Sequence, residues 1–86
     1  MNYVHKIRKR ALKFIGSQEK KQQERIYKAI YALPYKGDIS KLSGKEDEYR
    51  LRVGDYRILF RLTQYGFEIM LVDIFDADNR GQIYKK

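Results

Sequence analysis

The chain has 86 residues, no cysteine, and 19 Lys and Arg against 11 Asp and Glu, a formal net charge of +8. That length predicts a single domain over residues 1–86 with one core that buries only about 60–65% of the unfolded surface, so a partner covering apolar surface adds stability. Disulfides and thiolate metal sites are excluded, no stretch approaches the ~20 apolar residues of a membrane span, and "MNYVHKIRKRALKFIG" lacks a signal peptide's apolar region; a cytoplasmic protein with a polyanionic ligand is expected.

Residues 2 to 7, "NYVHKI", alternate loosely and fit a short first strand. Ile7, Ala11, Phe14 and Ile15 fall at helical spacing, which predicts a helix from Arg8 to Gly16, with Gly16-Ser17 ending it and supplying the N-cap of the next. The second helix is predicted from about Gln18 to Leu33. Gln22, Ile26, Ala29, Ile30 and Leu33 share one face, with Lys20, Lys21, Glu24, Arg25 and Lys28 mostly on the other, and Pro34 stops it. The segment "YKGDISKLSGKEDE" reads as a connection running into a sheet edge. Three strands follow. "EYRLRV" and "YRILFRL" flank Gly54-Asp55, where a glycine in the first central position suits a two-residue type II′ turn. "FEIMLVDIF", after a loop containing Gly66, is apolar on both faces, as an interior strand should be. The closing "DADNRGQIYKK" reads as a polar tail with Ile83 and Tyr84 as its apolar members.

The first of the two hairpin strands carries the informative residues. Side chains alternate along a strand, so Tyr49, Leu51 and Val53 belong to the core face and Arg50 and Arg52 to the other. A two-residue turn sets Val53 opposite Tyr56, Arg52 opposite Arg57 and Arg50 opposite Leu59, so that Arg50, Arg52 and Arg57 converge. Like charges directly opposite destabilise a sheet unless an anion or nearby carboxylates neutralise them, which points to a phosphate site. The structural alternative is a solvated face neutralised by Glu46, Asp47, Glu48 and Glu68.

The string "KLSGKEDEYRLRVGDYRILFRL", followed by an apolar strand and "NRGQIY", resembles the RelE/ParE superfamily of bacterial toxin–antitoxin toxins, and within it the RelE branch of mRNA interferases. The resemblance implies an α+β fold, β-α-α-β-β-β, in which an N-terminal strand and a helical hairpin pack on a small, mainly antiparallel sheet. It implies cleavage of mRNA on the ribosome without metal or cofactor, and inactivation by a cognate antitoxin protein. Carried over by position, the family's basic catalytic residues match Arg50, Arg52 and Arg57, its upstream lysine matches Lys41, and its closing arginine and tyrosine match Arg80 and Tyr84. Lysines stand at Arg50 and Arg52 in some members, and a histidine at Asn79 in many.

RNA cleavage without metal needs a base for the 2′-hydroxyl, positive charge on the nonbridging oxygens and an acid for the leaving 5′-oxygen. Arginine suits the second duty, because its planar fork binds two phosphate oxygens and stays charged. Lys41 is the candidate base, since neighbouring positive charges lower a lysine's pKa. Tyr84 is read as stacking on a nucleobase or aiming its hydroxyl at the 2′-oxygen, the alternative being an anchor that holds the tail to the sheet with Ile83. His5, the lone histidine, is read as structural, and Asp73, Asp76 and Asp78 match no metal motif. Two further functions stand beside the nuclease: a non-catalytic ParE-like toxin that inhibits DNA gyrase, and a basic RNA-binding module.

Overall fold

Apolar alternation along four strands and an apolar stripe on two helices must be buried against each other, and the fold follows from that demand. The computed structural model describes residues 2–79. In chain order these form β1 (Asn2–Ile7), α1 (Lys9–Gly16), α2 (Lys20–Tyr31), β2 (Asp38–Lys41), β3 (Glu48–Val53), β4 (Tyr56–Tyr65) and β5 (Ile69–Asn79). The sheet order is β1-β5-β4-β3-β2, with β1 parallel to β5 and every other pair antiparallel. The expected α+β architecture with a mainly antiparallel sheet is therefore present, and β5 is interior as its two apolar faces require.

Both helices cover one face of the sheet. Ala11 and Ile15 of α1, Ile26 and Ile30 of α2, and Leu33 beyond it close on Leu51, Ile58, Phe60, Val72 and Ile74. Each such fully buried large side chain contributes about 1.5–3 kcal/mol by leaving water. The Arg8 backbone N–H donates to the Ile74 carbonyl at 2.8 Å, which ties the entry of α1 to the central strand.

Four local expectations change. Residues 38–41 form an edge strand, because Asp38 to Lys41 pair with Arg52 to Tyr49. Ser17 does not cap α2; its hydroxyl donates to the Phe14 carbonyl at 2.6 Å, so it closes α1, and α2 starts at Lys20 with Glu19 at its N-cap. That helix ends at Tyr31, short of Leu33. The fourth is the most consequential. Residues 76–79, read from the sequence as the start of a polar tail, continue β5, because Tyr56 to Leu59 hold them in the ladder.

His5 is structural, as expected: its Nε2 lies 2.8 Å from the Leu33 carbonyl and its ring meets Tyr31 edge-on. No helix is long and apolar enough to cross a membrane among the described residues.

Candidate functional site

The site is built on the sheet face that the helices leave open. Its hairpin closes through Gly54, which takes φ +60° while no non-glycine residue among the described residues has a positive φ, the pattern of the expected type II′ turn. The resulting register sets Val53 opposite Tyr56, Arg52 opposite Arg57 and Arg50 opposite Leu59, as the alternation predicts. Leu51, Val53, Tyr56 and Ile58 are buried under the helices, so Arg50, Arg52 and Arg57 share the uncovered face.

Across the strands this face is arranged in rows. The first runs Asp38, Arg52, Arg57, Asp78; the second Ser40, Arg50, Leu59, Asp76; the third Glu48, Arg61, Asp73, Lys6. Every row holds both carboxylates and cations, with Arg52 and Arg57 side by side in the first, but they do not all pair. Arg57 forks onto Asp78, with Nε and Nη2 donating at 3.2 and 2.6 Å. Arg61 donates to Glu48 at 2.8 Å and lies over the Phe75 ring, 4.5 Å from its centroid. Arg8 grips both oxygens of the buried Asp73 at 2.8 Å. Those bonds hold the Asp73 carboxyl below the usual carboxylate range against the upward push of burial, with the nearby Arg8, Arg61 and Lys6 charges acting in the same downward direction.

Two guanidiniums are left without a carboxylate. Arg52 is exposed and bonds to no side chain among the described residues, and Asp38 makes no ion pair with it across the β2 edge. Arg50 reaches only the Ser40 hydroxyl, at 3.5 Å, and its buried Nε has no partner. Arg50 and Arg52 thus present donors in the planar geometry that an oxyanion of phosphate accepts.

The other sequence candidates fall differently. Lys41 pairs with Tyr49, which stacks on Phe60 on the helix-covered face; the strand alternation therefore carries Lys41 away from the arginines, and its reading as the base has no geometric support. Arg80 and Tyr84 lie outside the described residues, as does Ile83. Of the four acidic residues proposed as neutralisers, Glu48 is bonded to an open-face arginine, and the others of that duty are Asp73 and Asp78. The role of Asp78 was hidden by the tail reading; extending strand alternation past Phe75 finds it only if the irregularity between Leu59 and Phe60 is known. Arg61 was detectable, since it lies four residues from Arg57 on the same strand face. No cluster of three or more His, Cys, Asp or Glu side chains placed to hold a metal occurs among the described residues.

The fold is matched among known proteins. The family model for the ParE toxin of type II toxin-antitoxin systems, parDE, matches residues 2–80. The chain is similar to the RelE structure of a RelB-RelE antitoxin-toxin complex from Methanococcus jannaschii, with TM-score 0.68 and 25% identity over 91% of this chain and 93% of that one. It is also similar to a chain of the archaeal RelE-RelB complex from Pyrococcus horikoshii OT3, with TM-score 0.67 and 28% identity over 95% and 99%. No curated protein matches it significantly.

Proposed function

The chain belongs to the RelE/ParE superfamily and is a toxin of a toxin–antitoxin module, and within that superfamily we propose that it is a metal-independent endoribonuclease that cleaves mRNA on the ribosome and is held inactive by a cognate antitoxin. The observation that carries this reading is the pair of unneutralised guanidiniums, Arg50 and Arg52, beside Arg57 on an uncovered sheet face. A sheet tolerates such a cluster where an anion completes it, and both similar structures are of RelE in complex with RelB.

In this mechanism Arg52 and Arg50 grip the nonbridging oxygens of the scissile phosphate, and Arg57 exchanges part of its fork from Asp78 to the phosphoryl group as negative charge builds. The 2′-oxygen bonds to phosphorus, the bond to the 5′-oxygen breaks, and a 2′,3′-cyclic phosphate and a 5′-hydroxyl result. The 2′-proton leaves to a base and the 5′-oxygen receives one from an acid. Arginine serves neither role well, because its pKa exceeds about 12. Arg80 and Tyr84, with Tyr84 stacking on a base or bonding the 2′-oxygen, complete the site in this reading.

A second reading, gyrase inhibition without catalysis, is favoured by the Arg57–Asp78 fork, which already neutralises one member of the triad. Purified toxin is to be incubated with mRNA, free and ribosome-bound, and separately in a gyrase supercoiling assay. Fragments ending in cyclic phosphate, with gyrase unaffected, are the expected outcome. Inhibited supercoiling with intact mRNA would overturn the nuclease assignment.

A further inference from the structure

Cleavage by the 2′-oxygen needs a base, and Lys41, expected to supply it, faces away from the arginines. The rows of the open face hold carboxylates instead, and their partners tell them apart. Asp73 is buried with both oxygens gripped by Arg8, and Glu48 is committed to Arg61, a row away from Arg50. Asp76 is held by Arg10 at 3.3 Å and by the Ala77 N–H, which donates to it at 2.8 Å. Asp38 is exposed and makes no ion pair among the described residues, so no cation fixes where its oxygens point. Asp78 differs from all of these: it is oriented by Arg57, and Arg57 is itself one of the three converging arginines.

The fork is uneven. Nη2 of Arg57 donates to Oδ2 at 2.6 Å, whereas Nε donates to Oδ1 at 3.2 Å. Both side chains are about a third exposed, and Asp78 also lines a hollow of about 450 Å³ against α1, which leaves room for a ribose beside the carboxylate. Resting on the nuclease reading above, we infer that Asp78 is the general base of the cleavage and that the scissile phosphate itself uncovers it. As the phosphate settles on Arg50 and Arg52 it draws the Arg57 Nε off Oδ1, the weaker of the two bonds, while the bond to Oδ2 keeps the carboxylate in place. A carboxylate oxygen that loses a cationic donor binds a proton more tightly, so the base is exposed only once the substrate is seated. The spacing accommodates the transfer. Asp78 is one strand, about 4.8 Å, from Arg57 in their row, and a 2′-oxygen poised for attack lies about 3–3.5 Å from phosphorus. The 2′-proton passes to Oδ1 as the O2′–P bond forms and the P–O5′ bond breaks. The 5′-oxygen takes a proton from water, and Oδ1 then returns its own to water.

Asp78→Asn keeps an oxygen for Arg57 and removes the basicity. In single-turnover cleavage of ribosome-bound mRNA by the full-length chain, this variant should fall about 10²–10⁴-fold below the parent. Its melting temperature, and its affinity for an oligonucleotide carrying 2′-deoxy at the scissile position, should stay parental. Asp78→Glu, which keeps a carboxylate, should recover about tenfold or more of the loss, and Asp38→Asn should cleave like the parent. An mRNA with sulfur in place of the bridging 5′-oxygen needs no acid to expel its leaving group, so the Asp78→Asn defect should persist on it, as the loss of a base requires. Cleavage by Asp78→Asn within about threefold of the parent overturns the proposal, and so does a loss confined to Asp38→Asn. A defect that vanishes on the sulfur substrate makes Asp78 the acid, and one matched by lost affinity for the 2′-deoxy oligonucleotide makes it a binding group; either result also overturns it. A parent that cuts no RNA sinks the nuclease reading and the base together, whereas a parent that cuts while Asp78→Asn equals it sinks the base alone.

Discussion

Arg52 and Arg57 stand directly opposite one another, yet Arg57 has a carboxylate on it and Arg52 has none. Their alanine variants should therefore separate. Under the proposed nuclease mechanism Arg52→Ala removes a phosphate donor with no side-chain partner among the described residues, so cleavage should fall about 10²–10³-fold while stability, measured by urea unfolding, stays within about 0.5 kcal/mol. Arg57→Ala should lower cleavage too, but it also breaks the fork with Asp78; both side chains are about a third exposed, which screens the pair and limits the stability loss to about 1 kcal/mol or less. Asp73 governs a different observable. Its folded-state pKa is depressed, so its contribution is complete above the unfolded carboxylate value and is lost as pH falls through the lower folded value. Stability of the parent should thus decline below about pH 4. In Asp73→Asn the acid limb of the stability curve should be shallower; an unchanged limb would show that other carboxylates dominate acid unfolding.

The β3–β4 hairpin brings the arginines together, and its turn sets the register on which they depend. A slip of one residue would send Arg50 and Arg52 into the core and Leu51 and Val53 into water, so the buried face holds the register from one side and the turn from the other. Gly54 has φ +60°, and a Cβ there would meet the Arg25 guanidinium nitrogens at 2.8 and 2.9 Å. Arg25 is a flexible side chain that can give way; the backbone conformation cannot. Gly54→Ala should therefore destabilise the fold by about 1–2 kcal/mol, seen as a lower urea midpoint with an unchanged slope. Cleavage per folded molecule should persist if the core face keeps the register.

At the scale of the whole molecule, the charge of +8 is spread over helices and sheet, and the site adds a local cluster to that field. Affinity for a non-cleavable single-stranded oligonucleotide carrying 2′-deoxy at the scissile position should fall with salt by about 0.7 log units per log unit of salt for each phosphate held. The scissile phosphate held by the arginines contributes a slope of about −0.7 from the site alone. Arg52→Ala should make the slope shallower by about 0.7, whereas Tyr65→Asp, far from the arginines, should leave that increment in place. Fluorescence anisotropy across a salt series measures both.

The local pattern determined the elements: alternation placed β1, β3 and β4, helical spacing placed α1 and α2, and Gly54-Asp55 placed the turn that makes three arginines converge. Such signals are readable because a strand's period and a turn's φ depend on adjacent residues alone. The membership of the arginine face came from parity within one hairpin, and so did the burial of Leu51 and Val53. What neutralises each arginine did not. Asp78 reaches Arg57 only because β5 runs on to Asn79 and the ladder shifts between Leu59 and Phe60. Asp73 meets Arg8 across 65 residues, and Lys41 leaves the site because its pairing with Tyr49 fixes its face. These are choices among strand registers far apart in sequence, made by packing the whole core at once. The pattern of charges at any single strand leaves them open, and only the assembled sheet decides that Arg50 and Arg52 are the open-face arginines without a carboxylate among the described residues.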